Sequence, residues 1–282
     1  MTLQERRILL NKIIMVLSSV AAIAGMLFLF WIIGVLLYKG FNALNLDIFT
    51  YDMAPPGREP SGLRNALAGQ LILVTGASLI GVPIGVLAGT YLSEYGGRKS
   101  KLARLIRDIS DIMMSTPSIV IGAFVYAILV EPIGHFSGWA GIAALAVMMV
   151  PIVLRTTDDM LQLVPESLRE AAAALGAPKY KIILQVVYRG AKTGMLTGIL
   201  LSIARIAGET APLLFTSFSN NFFSTDLNQP IASLTVTMFN YATSPYDDWI
   251  NQGWAAALIL TLFVLGSNII GRIIIRNKKG NR

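Results

Sequence analysis

Long stretches without Asp, Glu, Lys or Arg constrain this chain more than any other feature. Five strongly apolar ones cover residues 13–38, 65–93, 112–130, 132–154 and 249–271. Each is close to or above the roughly 20 residues that a helix needs to cross a bilayer. A sixth apolar segment, 193–215, carries Arg205 and Glu209 inside it. We therefore predict an all-α integral membrane protein, one domain over 1–282, with six transmembrane helices near 13–38, 66–93, 112–130, 138–154, 193–215 and 250–272.

One further uncharged run, 227–246, is not predicted to span the membrane. It contains two prolines and many Asn, Ser and Thr residues. A backbone that faces lipid needs all its amides bonded internally, and this composition serves that need badly. We expect an extramembrane or partly re-entrant outer loop over 216–248. The first apolar stretch is too long for the core of a cleaved signal peptide, so we expect it to remain as a span.

The distribution of basic residues predicts the orientation. Of the 23 Lys and Arg residues, 19 lie in the N-terminal segment, the second and fourth connections and the C-terminal segment. Lys39, Arg58 and Arg64 lie on the opposite side, and Arg205 lies in a span. The positive-inside rule places the larger group in the cytoplasm. We therefore predict that both termini are cytoplasmic, and we read the net charge of +7 as an orientation signal rather than as a nucleic-acid surface.

The residue inventory excludes several kinds of site. Cysteine is absent and His135 is the one histidine, which rules out a disulfide scaffold, a thiolate nucleophile and a Cys/His zinc site. A Ser-His-Asp relay would have to use His135, which we place near the outer interface beside Phe136 and Trp139. No phosphate-binding G-x-x-x-x-G-K-[ST] loop exists, since 97–100 reads Gly-Arg-Lys-Ser. We expect no metal or cofactor on this chain and no catalysis by it alone.

The connection 155–192 is the longest predicted cytoplasmic segment, and it carries helix signals. Ser167 and Glu170 have the spacing of a capping box, which predicts a helix start there. An alanine run follows, and Gly176 is a natural helix stop. Pro178 is then suited to the first turn of a second helix. We predict a short helix with an alanine face that docks on another protein or on its own bundle.

Arg205 and Glu209 form the most unusual pair in the chain. Arg205 lies 12 residues beyond Thr193, or roughly 18 Å along a helix. Glu209 follows at i+4 on the same face. Charges at that depth are costly unless they are paired or face water, so they suggest function. The planar fork of arginine suits a tetrahedral oxyanion. A structural ion pair remains the alternative.

The connection resembles the EAA loop of ABC-importer permeases, in which a short coupling helix docks in a cleft of the ATPase subunit. The likeness rests on Glu170-Ala171-Ala172 followed by Gly176. It implies that Glu170, Ala171, Ala172, Gly176, Ala177 and Pro178 couple to the ATPase. The family pattern continues with Ile-x-Leu-Pro after nine residues, whereas this chain has Val-Val-Tyr-Arg at 186–189. The missing proline leaves the geometry after the second helix open.

Four passages are similar to the phosphate-import permeases of the PstA type: 116–122, 135–141, 150–157 and 204–215. The resemblance implies the type I ABC-importer permease fold and import of inorganic phosphate by alternating access across a bacterial inner membrane. It also implies a heterodimer with a PstC-type permease, two PstB-type ATPase subunits that bind ATP and Mg²⁺, and a PstS-type binding protein outside. We interpret six residues as candidates for the substrate path: Arg205, Glu209, Thr210, Arg155, Thr156 and Thr157.

Several alternatives stay open at this point. The oxyanion could be sulfate or molybdate, whose importers share the EAA loop. A different class, an intramembrane enzyme acting on lipid phosphates, could also use Arg and Glu in a cavity, but one basic residue in six spans is a poor active site. Arg155 is equally well read as a positive-inside anchor. The outer loop 216–248 holds Asp226, Phe222 and Phe223, and we expect it to contact the binding protein.

Overall fold

A computed structural model of the chain describes residues 3–97 and 100–277. Within those ranges the regular structure is entirely helical, and the helices, in chain order, are α1 (Leu3–Ala43), α2 (Asp47–Thr50), α3 (Arg64–Thr90), α4 (Lys101–Ser115), α5 (Ser118–Val125), α6 (Gly138–Gln162), α7 (Glu166–Ala174), α8 (Lys179–Ile182), α9 (Tyr188–Ala207), α10 (Ala211–Thr216), α11 (Leu234–Ala242) and α12 (Asp247–Asn277). The described residues also form three π-helical turns. Tyr91–Tyr95 extends α3, Tyr126–Val130 extends α5, and Ile183–Val187 joins α8 to α9. Some of the basic residues used to predict the orientation lie outside the described residues: Arg98, Lys99, Lys278, Lys279 and Arg282. The side chains of Arg272 and Arg276 also lie outside the described part.

Four helices of the described residues are long and apolar enough to cross a membrane: Leu3–Ala43, Arg64–Tyr95, Gly138–Gln162 and Asp247–Ile269. The number rises to five if Lys101–Ser115 and Ser118–Val130 form one span with a 107° bend. The apolar stretch 112–130 therefore does not lie on one straight helix. Pro117 sits at the bend in an extended conformation, and a proline both restricts the residue before it and lacks a donor.

The predicted fifth span, 193–215, is also divided. α9 begins earlier, at Tyr188, and ends at Ala207, and α10 restarts the helix at Ala211. Gly208 closes α9, and Pro212 occupies the first turn of α10. Pro is well tolerated at a helix start, so this sequence ends one helix and begins another within four residues. The six-span topology stays a prediction, because length and composition alone identify four or five spans here.

The centre of the bundle is the contact of α3 with α6. Gly81, Gly85 and Gly89 stand one turn apart on α3, and a Cβ at each would meet α6 side chains. At Gly85 the added atom would lie 2.7 Å from Val153 Cβ and 3.0 Å from Val150 O. The small-residue face therefore lets the two backbones approach closely, as in other membrane helix pairs. Leu145 and Met149 of α6 are fully buried at this interface.

Part of the outer loop 216–248 returns into the core. Residues 231–237 are all buried, and α11 packs along α12. The Ser217 hydroxyl donates to the Ile231 carbonyl, and Ser233 caps α11 through its contact with the Val236 amide. Polar side chains here satisfy the backbone of a short buried helix, which is the condition for irregular backbone at membrane depth.

The connection 155–192 forms the predicted short helix, with two corrections. α7 starts at Glu166 with Pro165 at the N-cap, and no side-chain cap bond is present at this described terminus. The capping-box prediction was wrong, because Ser167 lies inside the first turn, one residue beyond the start. Gly176 adopts φ +77°, which confirms the predicted stop. Pro178 stands at the N-cap of α8 rather than inside its first turn.

Candidate functional site

A cavity of about 200 Å³ lies where the two broken segments of the chain face each other. On one side stands the bend between α4 and α5, and on the other the end of α9. A Cβ at Gly122 of α5 would lie 2.6 Å from Pro212 Cα, so α5 and α10 are in backbone contact beside it. Its lining combines polar and apolar side chains: Met113, Met114, Thr116, Pro117, Ser118, Ile121, Met148, Ile152, Arg205 and Glu209.

Arg205 and Glu209, the charged residues of this cavity, form only a long ion pair. Arg205 Nε lies 4.0 Å from Glu209 Oε1, at the outer limit of an ion pair. The Arg205 side chain is 56% exposed, whereas that of Glu209 is 17% exposed. The guanidinium therefore keeps most of its five donors free, and the carboxylate is held at the wall. An open guanidinium on an apolar helix needs water, an anion or another chain in front of it.

The interruption between α9 and α10, beside this pair, is stabilised by a side chain that sequence reasoning missed. Gln70 of α3 is 2% exposed. Its Nε2 donates to the Ala207 carbonyl at 3.0 Å, and its Oε1 accepts from the Leu234 amide at 3.1 Å. The Thr235 hydroxyl donates to the Glu209 carbonyl at 3.0 Å. These bonds satisfy backbone groups that the end of α9 and the start of α11 leave unpaired.

Arg155 occupies a different cavity of about 440 Å³, toward the C-terminal end of α6. Its guanidinium lies 3.4 Å from Asp159 and 3.7 Å from Asp111. Arg107 lines the same cavity and donates to Asp158, whose side chain is 2% exposed. This second basic site is therefore already surrounded by carboxylates.

The three predicted threonines do not join Arg205 in its cavity. Thr156 packs on Gly198 of α9 and donates its hydroxyl to its own helix at Ile152. Thr157 is 1% exposed and packs on Gly89 of α3. Thr210 is half-buried at the start of α10, outside the cavity lining. The structure thus brings together Arg205 and Glu209 and distributes the other four candidates over helix contacts and the second cavity.

The predicted coupling residues lie together on one surface of the bundle, which the orientation prediction assigns to the cytoplasm. None of the α7 side chains is buried, and the whole of that helix is described. Glu170, Ala171, Gly176 and Pro178 are exposed, and Ala172 and Ala177 are half-buried against the bundle. Leu175, between the alanine run and Gly176, is 89% exposed. An apolar side chain so open at a helix end favours a protein contact.

Two predicted outer features are exposed. The His135 ring is exposed, with Nδ1 3.0 Å from the Phe136 carbonyl. Phe222 is 79% exposed, and Phe223 lies under the Arg64 guanidinium at 5.2 Å. Arg64 in turn forms a two-pronged ion pair with Asp52, at 3.0 Å for each bond. The first half of the outer loop is therefore fastened to the start of α3 and presents aromatic surface outward.

Comparison with known proteins identifies the class. The family described as "Binding-protein-dependent transport system inner membrane component" matches residues 81–279. The "Phosphate transport system permease protein PstA" of Haemophilus influenzae is 53% identical over 269 residues, which cover 95% of each chain. The protein of the same name from Yersinia pestis is 53% identical over 95% of this chain and 91% of its own. "Phosphate transport system permease protein PstA 1" of Mycobacterium tuberculosis strain H37Rv is 32% identical over 95% of this chain and 88% of its own.

Two solved structures share the fold. An inward-facing structure of the MetNI methionine ABC transporter aligns with a TM-score of 0.60 at 21% identity, over 76% of this chain and 92% of that one. An amino acid ABC transporter aligns with a TM-score of 0.55 at 17% identity, over 76% and 94%. The helical architecture and the match define an ABC-importer permease, a multi-pass inner-membrane protein. The chain belongs to the binding-protein-dependent transport system inner membrane component family and, within it, to the PstA permeases, as the resemblance predicted.

Proposed function

We propose that this chain is the membrane-spanning permease subunit of an ATP-driven importer that carries inorganic phosphate into the cytoplasm by alternating access. The observation that carries the proposal is the 53% identity to a phosphate transport permease over 95% of both chains. The chemistry of the Arg205 cavity supports it, because an open guanidinium beside a carboxylate suits a partly protonated oxyanion. The energy enters from a separate ATPase subunit.

In this proposal Arg205 meets phosphate as its water shell is removed. The guanidinium fork binds two phosphate oxygens, and the loose 4.0 Å contact to Glu209 opens to admit them. Glu209 then accepts a hydrogen bond from a protonated phosphate oxygen, which sulfate at neutral pH cannot offer. Arg155 serves as a second station in the cytoplasmic cavity, where neighbouring carboxylates keep its hold on an anion weak. Thr156, Thr157 and Thr210 then support the helices of the path and make no contact with phosphate.

The proposal includes an obligate assembly. A PstC-type permease covers the open side of Arg205. Two PstB-type ATPase subunits bind ATP and Mg²⁺ and dock on the coupling helices of the assembly, which in this chain means the segment from Glu170 to Pro178. A PstS-type protein delivers phosphate from outside to the surface that holds Phe222.

Both termini are cytoplasmic in a bacterial inner membrane. The bent segment 101–130 and the interrupted segment 188–216 each count as one span, which makes six.

The first experiment is ATP-driven uptake of labelled phosphate into vesicles that carry the whole complex. Arg205→Ala lowers the uptake rate by about 100-fold or more, because each charge-assisted hydrogen bond is worth about 1.5–3 kcal/mol. Arg205→Lys lowers it by about ten-fold, since lysine keeps the charge and loses the fork. The control, Arg58→Lys, makes the same change at an exposed outer residue and keeps the wild-type rate.

Two results would contradict the proposal in different parts. If the assembled wild-type complex hydrolyses ATP and moves no phosphate, then the substrate assignment is wrong, and competition by sulfate and molybdate identifies the oxyanion. If Arg205→Lys transports at the wild-type rate, then the pair is structural and the path lies elsewhere.

A further inference from the structure

The cytoplasmic end of α3 is the point to which the coupling helix is attached. α3 ends in the π-helical turn Tyr91–Tyr95, which carries Glu94. The Glu94 side chain is only 7% exposed, although it lies at the end of the helix. A carboxylate so nearly buried needs a partner that holds it in a defined geometry.

Arg169 of α7 is that partner. Its Nη2 lies 2.9 Å from Glu94 Oε1, and the Arg169 side chain is 14% exposed. The same guanidinium donates to the Leu161 carbonyl at 2.8 Å and to the Val164 carbonyl. One side chain thus joins the coupling helix to the end of α3, to the last turn of α6 and to Val164 just beyond it, where a cation also suits the helix dipole.

A second cation, which follows the coupling residues 170–178, contacts the same π-helical turn. Lys179 follows the Gly176 stop and donates to the Glu94 carbonyl. Its ammonium also lies 4.2 Å from the centre of the Tyr95 ring. Arg169 and Lys179 stand on either side of the coupling residues 170–178, and both contact residues 94 and 95. The side chains between them are exposed or only half-buried.

The attachment of α7 is mainly polar and directional. The apolar side chains that α7 places against the bundle are small, and Ala172 is the one that packs on the neighbouring cluster. Small side chains bury little area and allow sliding, but a nearly buried ion pair with two further carbonyl acceptors holds one geometry. The polar contacts of Arg169, rather than a broad packed surface, therefore hold α7 on the end of α3.

α3 continues this connection to the Arg205 cavity. From Glu94 to Gln70 the helix covers roughly 36 Å at about 1.5 Å per residue. At that far end, Gln70 bonds the Ala207 carbonyl at the break beside Arg205 and Glu209. The same continuous helix, with Pro83 inside it, thus contacts the coupling helix at one end and the end of α9 beside the candidate substrate site at the other.

We propose that Arg169 and Glu94 form a latch that transmits movement of the coupling helix to α3 and so to the Arg205 cavity. Both are positioning residues that act through α3 and do not touch the transported ion. The proposal rests on the proposed function, since it assumes that a separate ATPase moves α7. It adds a specific residue pair within this chain through which that movement passes.

The test compares phosphate taken up with ATP hydrolysed in vesicles that carry the assembled complex. Glu94→Gln and Arg169→Met each lower the uptake per ATP by about five- to ten-fold, the scale of typical coupling between sites, while ATP hydrolysis continues. The double variant loses no more than either single one, because the two residues act as a unit. Asp108→Asn, which removes an exposed carboxylate of α4, keeps the wild-type ratio. Assembled single variants with the wild-type ratio, or losses that multiply in the double variant, would overturn the latch.

A second measurement separates failure of the latch from failure of the proposed function. The chain has no cysteine, so Ser167→Cys and Leu87→Cys carry spin labels on α7 and α3 without background. In the wild-type complex the distance distribution between these labels keeps its width when an ATP analogue is added, and Glu94→Gln broadens it. An equal width in both overturns the latch. Absence of phosphate uptake by the wild-type complex overturns the substrate assignment instead and leaves this measurement valid.

Discussion

Gln70 uses both ends of one amide group to hold the broken fifth segment. It lies in the second long uncharged stretch, where a single polar side chain attracts little notice. Its two partners, Ala207 and Leu234, are separated from it by 137 and 164 residues. A polar residue inside an apolar helix was the available signal, because such a side chain needs a partner at membrane depth. Which partner it finds depends on where two other segments break.

Replacing Gln70 by leucine tests this role. Gln70→Leu keeps a similar size and leaves two buried backbone groups without a partner, each costing about 1–3 kcal/mol. We expect a loss of about 2–4 kcal/mol in the free energy of unfolding, read from denaturation of the purified complex in detergent. Gln185→Leu makes the same change at an exposed site and shifts it by about 0.5 kcal/mol or less. Equal stability of the two variants would refute the bridging role.

Arg155, Thr156 and Thr157 show why neighbours in sequence need not share a site. Consecutive residues of a helix point in directions about 100° apart, so i and i+1 do not face the same partner. Arg155 faces the second cavity, Thr156 packs on α9 and Thr157 packs on α3. Arg205 and Glu209, four residues apart, do share a cavity wall, although α9 ends at Ala207 and Glu209 lies between α9 and α10.

At the scale of elements, the glycine face of α3 sets how closely the two central helices approach. The sequence shows the four-residue repeat of Gly81, Gly85 and Gly89, and the structure identifies its partner as α6. The repeat does not name the partner, because any helix with a complementary ridge would fit. The π-helical turn at 91–95 and the two broken segments were also hidden from the pattern of uncharged residues, although Pro117 and Pro212 stand at the breaks.

A single methyl group tests this packing. In Gly85→Ala the new Cβ meets Val153 Cβ at 2.7 Å and the Val150 carbonyl at 3.0 Å, so the helices must separate. We expect a loss of about 1–3 kcal/mol in stability, measured as a lower thermal transition of the complex. Gly34→Ala is the matched control on α1, where nothing in the described residues lies within 4 Å. The prediction fails if both variants melt at the wild-type temperature.

At the scale of the whole molecule, charge and apolar length together predict how the chain sits in the membrane. Arg6, Arg7 and Lys12 stand at the start of α1. Lys179 and Lys181 lie in α8, which follows α6 and α7. The positive-inside rule places both regions on the same side. The loop that contains Phe222, which has no basic residue, then faces outward.

Labelling of introduced cysteines tests this orientation. Since the chain has no natural cysteine, Asn221→Cys and Ser167→Cys each provide one reactive thiol on an exposed residue. In intact cells a membrane-impermeant reagent labels Asn221→Cys and spares Ser167→Cys, and permeabilisation exposes both. The reverse pattern would invert the predicted topology and with it the side on which the ATPase docks.

Features that depend on residues close in sequence were determined by the sequence itself: the apolar stretches, the Gly176 stop and the exposed alanine helix. Each follows from hydropathy, backbone freedom or helix periodicity over a few turns. Only the tertiary structure decided where Gln70 bonds, that Arg169 meets Glu94, and which candidates share a cavity. Those contacts join residues 75 to 164 positions apart, and their geometry arises only when the helices pack.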